Sequence, residues 1–263
     1  MVVPAPPVFC EGDDKVFTMN ISSVTFDRSA PDLAGCPDAS LPEFTFIGRS
    51  NVGKSSLLNM LAGQAGLARV SPRPGFTKLI NFFTVDRRWR LVDLPGYGFA
   101  QGAHAERSAF NEATADYLAQ RQNLCVIFLL IDSGLPPQAI DLEFVQWLAD
   151  RTLPFVLVFT KVDQRSAAEV QTNITTFKTA ISGWFTQLPQ TITCSSTTRQ
   201  GRQELLAVVA GILADGAAPE TPAPATPLPP RETEPAFGLR IRAGAPPEKF
   251  GHKQKRTKTP RPW

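Results

Sequence analysis

The chain has 263 residues, 43% of them hydrophobic, which is enough to bury a core in one large domain or two small ones. Its longest uninterrupted apolar run, residues 124–131, is far shorter than the roughly 20 residues that cross a bilayer. Residues 1–230 hold 18 Lys/Arg against 21 Asp/Glu and residues 231–263 hold nine against three, so the net charge of +3 combines a negative body with a positive tail. These values exclude a membrane-spanning helix and favour a globular protein.

The N-terminal extension, residues 1–20, lacks the basic region and the long apolar core of a secretory signal, so we expect a cytoplasmic protein. The cysteines form no CxxC pair and have no flanking histidines at zinc-like spacing, which predicts reduced thiols. Two of them fall in apolar, strand-like stretches, where a free cysteine packs as a small hydrophobe. These are Cys125 and Cys194.

From about residue 40 to 214, short β-rich runs alternate with helical patterns, which is typical of an α/β fold. We predict a mostly parallel six-stranded sheet with helices on both faces, because the strands are continuously apolar. The predicted strands are 44–47, 80–85, 89–94, 125–132, 155–160 and 191–195. The predicted helices are about 54–63, 105–121, 138–150, 166–186 and 202–214.

The polar break Asp86-Arg87-Arg88 separates two of these strands and predicts a hairpin, with one antiparallel edge strand. In open sheets of this kind, ligands bind outside the carboxyl ends of the strands. The residues that carry chemistry should therefore follow the strands directly.

The stretch GRSNVGKSS follows the first predicted strand and matches the phosphate loop G-x-x-x-x-G-K-[ST] in a strand-loop-helix context. Gly48 and Gly53 allow successive backbone N–H groups to face phosphate oxygens, and the helix N-terminus adds positive charge. Lys54 would reach the β and γ phosphates. Ser55 offers a hydroxyl to Mg²⁺, which prefers oxygen ligands.

Two further strand ends predict which base is bound. The stretch TKVD, residues 160–163, supplies Asp163, whose carboxylate can accept hydrogen bonds from the ring N–H and the exocyclic amine of guanine. Adenine would leave that carboxylate unpaired, and such sites can reject an analogue by about 10⁴- to 10⁵-fold. Backbone amides near Ser195 and Ser196 could meet guanine O6, and the stem of Lys161 could lie along the base.

Together, GRSNVGKSS, PGFTKLINFF, DLPGYG, TKVD and CSSTTRQG resemble, in order and spacing, the EngB (YihA/YsxC) family of bacterial ribosome-biogenesis GTPases within the Era-like group. The resemblance covers roughly residues 20–214. It implies a P-loop NTPase G domain at 21–216, GTP or GDP with Mg²⁺ as ligands, and a role in assembling the large ribosomal subunit, and thereby in growth and division. Thr160 departs from the Asn of most GTPases but agrees with the EngB pattern.

By that resemblance, five segments line the nucleotide. They are Gly48, Arg49, Ser50, Asn51, Val52, Gly53, Lys54 and Ser55; Gly75, Phe76, Thr77, Lys78 and Leu79; Asp93, Leu94, Pro95 and Gly96; Thr160, Lys161, Val162 and Asp163; and Cys194, Ser195 and Ser196. Ser55, Thr77 and Asp93 are the expected Mg²⁺ ligands. Lys54, Thr77 and Gly96 are assigned to catalysis, with the Gly96 N–H directed at the γ-phosphate.

Tyr97 occupies the position at which Ras-like GTPases carry a water-orienting glutamine, and even that glutamine supports only about 10⁻⁴ s⁻¹ without help. A tyrosine cannot orient water in the same way. We therefore expect slow intrinsic hydrolysis that a ribosomal partner raises. Asn51 matches a phosphate-loop asparagine through which several relatives bind K⁺, so K⁺ is a further candidate cofactor.

The tail from residue 217 has seven prolines in its first 19 residues and six Lys/Arg in its last 16, which predicts a disordered, basic arm. Such an arm is typical of nucleic-acid binding, and a tail that only aids solubility is the alternative. The expected partner is a large-subunit precursor or its rRNA, with no membrane, no DNA specificity and a monomeric chain. An RNA-binding scaffold with structural GTP, and a P-loop ATPase or kinase, remain competing interpretations.

Overall fold

The computed structural model describes residues 19–68, 79–97 and 104–215, the last range with side chains from residue 112 onward. These residues form a seven-stranded sheet in the order β1-β3-β4-β2-β5-β6-β7. The strands are β1 Val24–Ala30, β2 Glu43–Gly48, β3 Ile80–Val85, β4 Trp89–Asp93, β5 Leu124–Asp132, β6 Phe155–Thr160 and β7 Thr191–Thr193. The helices are α1 Lys54–Ala62, α2 His104–Gln120, α3 Ala139–Asp150, α4 Ala167–Ile181 and α5 Arg202–Ala214, with a 3₁₀ turn at Ser182–Trp184.

The sheet is mostly parallel. β2 pairs in parallel with β4 and β5, and β5, β6 and β7 continue in parallel. The predicted hairpin is confirmed, since β3 runs antiparallel to β4 and the turn between them places Asp86 and Arg87 at positive φ. The P-loop G-domain architecture expected from the sequence is thus present.

A seventh strand, β1, extends the predicted sheet of six. β1 pairs antiparallel with β3 and forms the edge of the sheet. The strand that runs antiparallel to its neighbours, β3, therefore lies one place in from the edge rather than at it. Sequence periodicity missed β1 because VTFDRSA is mostly polar and exposed, with a register shift between Phe26 and Arg28. Long-range contacts hold the strand instead: the Asp86 carboxylate accepts hydrogen bonds from the backbone N–H groups of Ser22 and Ser23, at 3.0 and 2.7 Å.

Both faces of the sheet are covered, as the continuous apolar strands predicted. Successive β5 side chains point to opposite faces. Ile127, Leu129 and Ile131 pack with residues of α2, α3 and α4. Val126, Phe128 and Leu130 pack with residues of α1 and α5. No helix in the described part of the chain is long and apolar enough to cross a bilayer.

At the start of β2, the end of the sheet opposite the predicted phosphate loop, lies a buried ion cluster. The Glu43 carboxylate is fully buried and accepts two hydrogen bonds from the Arg121 guanidinium, at 2.8 and 2.6 Å. The Tyr117 hydroxyl donates a third, at 2.8 Å. A buried carboxylate with these partners is compensated for the loss of water.

Candidate functional site

The phosphate loop leaves the centre of the sheet after β2 and enters α1. Gly48 is required there, because a Cβ would lie 2.6 Å from the Leu130 carbonyl oxygen. Gly53 has φ +99° and precedes the first helical residue, Lys54. Asn51, exposed, also has positive φ. The loop therefore curls as the glycine pattern predicted and directs the positive end of α1 at its concave side.

Lys54 and Asp93 meet at the carboxyl ends of β2 and β4. Their side chains are buried and form an ion pair. The register of β2 against β4 brings the two side chains together. Phe46 of β2 lies beside Asp93 of β4, and the Leu94 N–H donates to the Phe46 carbonyl at 3.1 Å. The two strand ends thus bring a phosphate-binding type of cation and a metal-binding type of carboxylate together.

The donors around this pair suit Mg²⁺. Asp93 provides carboxylate oxygen, and Ser55, half-buried in the first turn of α1, provides a hydroxyl. The described residues contain no group of three or more His, Cys, Asp or Glu that could hold a metal without other ligands. A small set of hard oxygen donors fits an ion that keeps some waters and takes ligands from phosphate.

The segment after β4 is joined to the phosphate loop through the backbone. The Tyr97 N–H donates to the Gly48 carbonyl and the Ser50 N–H donates to the Tyr97 carbonyl, both at 3.2 Å. Gly96 lies so close that a Cβ there would be 2.9 Å from the Gly48 carbonyl oxygen. Only glycine therefore allows the chain to run this near the loop.

The side chain of Tyr97 points into the core rather than into the site. It is 4% exposed, and its ring stacks on Phe144 of α3 with a centroid separation of 4.6 Å. Its hydroxyl donates to Asp141 Oδ1 at 2.9 Å, and Arg49 Nε donates to Asp141 Oδ2 at 3.1 Å. Burial, reinforced by the Asp141 charge, raises the pKa of Tyr97 well above its usual value, so the phenol stays protonated.

Asp141 itself is 1% exposed. Burial raises the pKa of its carboxyl group, and the Arg49 charge and the hydrogen bond from Tyr97 oppose that rise. Arg49 was expected to line the nucleotide through its place in the phosphate loop. Its guanidinium reaches back to Asp141 of α3, and contact of its backbone with the nucleotide stays a prediction.

On the other side of the phosphate loop, the end of β6 is tied to it by side chains. The Thr160 hydroxyl donates to the Val52 carbonyl at 2.7 Å and has the Ile131 carbonyl as a second acceptor at 3.2 Å. Threonine here thus connects strand and loop through one buried hydroxyl. Lys161 has positive φ and pairs with Asp132 at 2.7 Å, which holds its stem near Gly53.

The ends of β6 and β7 are also joined. The Val162 N–H donates to the Cys194 carbonyl at 3.3 Å, and Ser195 is fully buried. Hydrogen bonding from the Ser195 side chain lowers the pKa of the exposed Asp163 carboxyl, so this group is an ionised acceptor at neutral pH. Gly201 closes the loop before α5, with φ +79° and no room for a Cβ.

The structure brings four of the five predicted segments to one edge of the sheet: residues 48–55, 93–96, 160–163 and 194–196. In the remaining segment Leu79 is described and 40% exposed, whereas Gly75, Phe76, Thr77 and Lys78 lie outside the described residues. The N-terminal extension before residue 19 and the basic tail lie outside them as well.

Sequence reasoning missed two carboxylates. Asp132 ends β5 and could have been found by the strand-end rule that located the other segments. Asp141 gave no such signal, because an acidic residue in the first turn of a helix is ordinarily explained by the helix dipole.

Comparison with known proteins agrees with this architecture. A family described as 50S ribosome-binding GTPase matches residues 43–161. A probable GTP-binding protein EngB from Porphyromonas gingivalis is 46% identical over 188 residues, which are 72% of this chain and 94% of that protein. One from Christiangramia forsetii is 41% identical over 194 residues, covering 74% of this chain and 98% of that protein.

Among solved structures, a crystal structure of Era in complex with MgGDPNP and a segment of 16S ribosomal RNA superimposes with a TM-score of 0.52. The two chains are 21% identical, and the match covers 73% of this chain and 60% of Era. At that identity the likeness concerns the fold, which is a GTPase fold.

Proposed function

Because the chain belongs to the EngB family of GTP-binding proteins, we propose that it is a nucleotide-dependent switch that acts in the cytoplasm in assembly of the large ribosomal subunit. The protein is a GTPase, with GTP and GDP as its ligands. The observation that carries the switch proposal is the backbone junction between Tyr97 and the phosphate loop. This junction holds Gly96 beside the phosphate loop, and we propose that the Gly96 N–H senses a third phosphate there.

The proposed site has a phosphate side and a base side. On the phosphate side, backbone N–H groups of residues 48–55 hold the phosphates, Lys54 leaves its ion pair with Asp93 to bind the β and γ phosphates, and the Gly96 N–H binds the γ-phosphate. Ser55 and Asp93 would hold Mg²⁺, which neutralises phosphate charge when bound. Thr77 is the proposed third ligand and is outside the described residues.

On the base side, Asp163 reads the two N–H donors of guanine and the amides near Ser195 meet its O6. Lys161, held by Asp132, covers one face of the base with its stem. Support for this assignment comes from Ser195, whose hydrogen bond lowers the pKa of Asp163, because an ionised carboxylate is a strong acceptor.

We expect the protein alone to turn over GTP slowly, below about 1 s⁻¹, because no glutamine follows Gly96. The buried position of Tyr97 supports this expectation, since its hydroxyl already donates to Asp141 and its ring is packed on Phe144. Single-turnover measurements with purified protein test it, and a faster rate without partner would refute it.

A ribosomal partner is supported by relatives. The matching family is described as 50S ribosome-binding, and the structurally similar Era is seen bound to 16S ribosomal RNA. We propose a large-subunit precursor as the partner, with the chain as a monomer and with growth and division affected through ribosome supply.

The test is sedimentation of the full chain with large-subunit precursors in GDP, GTP and a non-hydrolysable GTP analogue. Wild type should associate in a nucleotide-dependent manner and Lys54→Ala should lose that dependence. Lys178→Ala, in the last turn of α4, is the matched control and should behave as wild type. Equal association in all three states would refute the switch.

An RNA-binding scaffold is the alternative, because the tail after residue 216 is proline-rich and ends in a basic cluster. Deleting residues 217–263 should leave GTP-dependent association in place if the G domain is the switch. Loss of all association would favour the scaffold. An ATPase or kinase would be indicated only if ATP competed equally with GTP.

K⁺ is proposed as an additional cofactor bound through Asn51, which the structure places exposed on the phosphate loop. A cation there would supply positive charge beside the phosphates during hydrolysis. Hydrolysis rates in K⁺ and Na⁺ buffers of equal ionic strength test it, and equal rates would remove the proposal.

A further inference from the structure

Asp141 is a buried carboxylate that the proposed binding of GTP does not use. It lies in the first turn of α3, outside every predicted nucleotide segment, and is 1% exposed. Burying a charge is unfavourable unless partners compensate for the lost water, so the partners indicate what the residue does.

Among the described residues each carboxylate oxygen of Asp141 has one partner, and the two partners belong to different parts of the proposed nucleotide site. Oδ1 accepts from the Tyr97 hydroxyl, in the segment after β4, at 2.9 Å. Oδ2 accepts from Arg49 Nε, in the phosphate loop, at 3.1 Å. Asp141 therefore joins by side chains the two segments that the backbone also joins, where Arg49 and Tyr97 form a parallel bridge.

The connection through Asp141 also bears on Gly96, the residue proposed to bind the γ-phosphate. Gly96 directly precedes Tyr97, and the Tyr97 N–H and carbonyl are both committed to the phosphate loop. The ring stacked on Phe144 and the hydroxyl bonded to Asp141 oppose movement of Tyr97 away from the loop. Holding Tyr97 in this way would restrict the neighbouring Gly96 N–H as well, and such restriction reduces the entropy lost on binding a γ-phosphate.

We propose that Asp141 is a positioning residue for γ-phosphate recognition: it holds Tyr97, and through it Gly96, against the phosphate loop. The inference rests on the proposed role of Gly96 in the GTP site. It assigns to α3 a part in distinguishing GTP from GDP, although no atom of α3 would touch the nucleotide.

The decisive variant is Tyr97→Phe, which removes only the hydroxyl and keeps the ring on Phe144. We expect only part of the lost hydrogen bond to affect nucleotide binding, so the Kd for a non-hydrolysable GTP analogue should rise about 3- to 10-fold. The Kd for GDP should change less than about 2-fold, because GDP lacks the phosphate that Gly96 contacts. Asp141→Asn should act in the same direction.

The chain offers a matched control in its other tyrosine. Tyr117 is also buried, and its hydroxyl also donates to a buried carboxylate, that of Glu43, at 2.8 Å. This pair lies at the opposite end of β2, about 16 Å along the strand from Gly48. Tyr117→Phe should lower stability to a similar extent and leave both nucleotide affinities unchanged.

The outcomes separate the inference from the proposed function. Selective loss of affinity for the GTP analogue in Tyr97→Phe, but not in Tyr117→Phe, supports positioning. Wild-type ratios of the two Kd values in Tyr97→Phe, or equal changes in both tyrosine variants, would overturn it. A wild-type protein with no affinity for guanine nucleotides would instead refute the GTP site itself.

Discussion

Replacing Thr160 by valine would remove one hydroxyl from the junction between β6 and the phosphate loop while keeping the shape of the side chain. Thr160 is 4% exposed, and its hydroxyl donates a hydrogen bond to the Val52 carbonyl at 2.7 Å. The Ile131 carbonyl is a second acceptor within reach, at 3.2 Å. A buried carbonyl that loses its donor is destabilised by about 1–3 kcal/mol. For a domain of this size, a loss of 2 kcal/mol lowers Tm by about 4–8 °C.

The loss should extend to nucleotide binding, because Val52 lies inside the phosphate loop and Lys161 follows Thr160 directly. We expect GDP affinity to fall by at least about 5-fold, the equivalent of 1 kcal/mol. Thermal unfolding followed by circular dichroism and GDP titration calorimetry measure the two effects.

Thr160→Ser is the matched variant, since it keeps the hydroxyl and loses a methyl group worth about 0.8 kcal/mol. It should bind GDP as wild type does. If Thr160→Val binds GDP normally, or if Thr160→Ser is equally impaired, the hydroxyl does not connect the strand to the loop in the way described.

Two glycines of the last loop and helix should respond to alanine in opposite directions in urea unfolding. Gly201→Ala should lower the free energy of unfolding by about 2 kcal/mol or more, because φ is +79° and a Cβ would collide with backbone. Gly211→Ala, within α5 and with nothing near, should raise it by about 1 kcal/mol; equal effects would refute this. Burial raises the pKa of Cys36 and Cys125 to about 11 and of Cys194 to about 12, so at pH 8 each should react with a thiol reagent about 100-fold or more slowly than a free cysteine. Their rates should rise tenfold per pH unit in a variant that lacks Cys10, the remaining cysteine of the chain, and fast reaction at pH 8 would contradict the burial.

The elements were predictable where a single physical signal marks them. Apolar strands buried on both faces stand out in the sequence, as do helices with capping residues, and α4 begins after Ser166 with the capping box that Glu169 completes. Its predicted end at 186 was too late, because the chain tightens into the 3₁₀ turn Ser182–Trp184. β1 was missed because it is mostly polar and is held by pairing with a distant strand.

The residues of the site also divide into those that the sequence predicts and those that it does not. The phosphate loop and the ends of β6 and β7 are recognisable because their chemistry is carried by adjacent residues, such as Gly53 and Lys54. Asp132 and Asp141 act across 29 and 92 residues of sequence, on Lys161 and Arg49 respectively. Pairings at such separations depend on how the strands are arranged in the sheet, so short stretches of sequence do not predict them.

The strand order also has a consequence for the protein while it is being made. β2 is the second strand to be synthesised but lies in the middle of the sheet, whereas β6 and β7 come last. Since a nascent chain emerges from its N-terminus, the phosphate loop leaves the ribosome well before Asp163 and Ser195. On the proposed assignment, a truncated product that stops before the end of β6 would carry the phosphate loop but would lack Asp163, the carboxylate that reads guanine. Bound nucleotide would then stabilise only chains that are long enough to contain both the phosphate loop and the residues that read guanine.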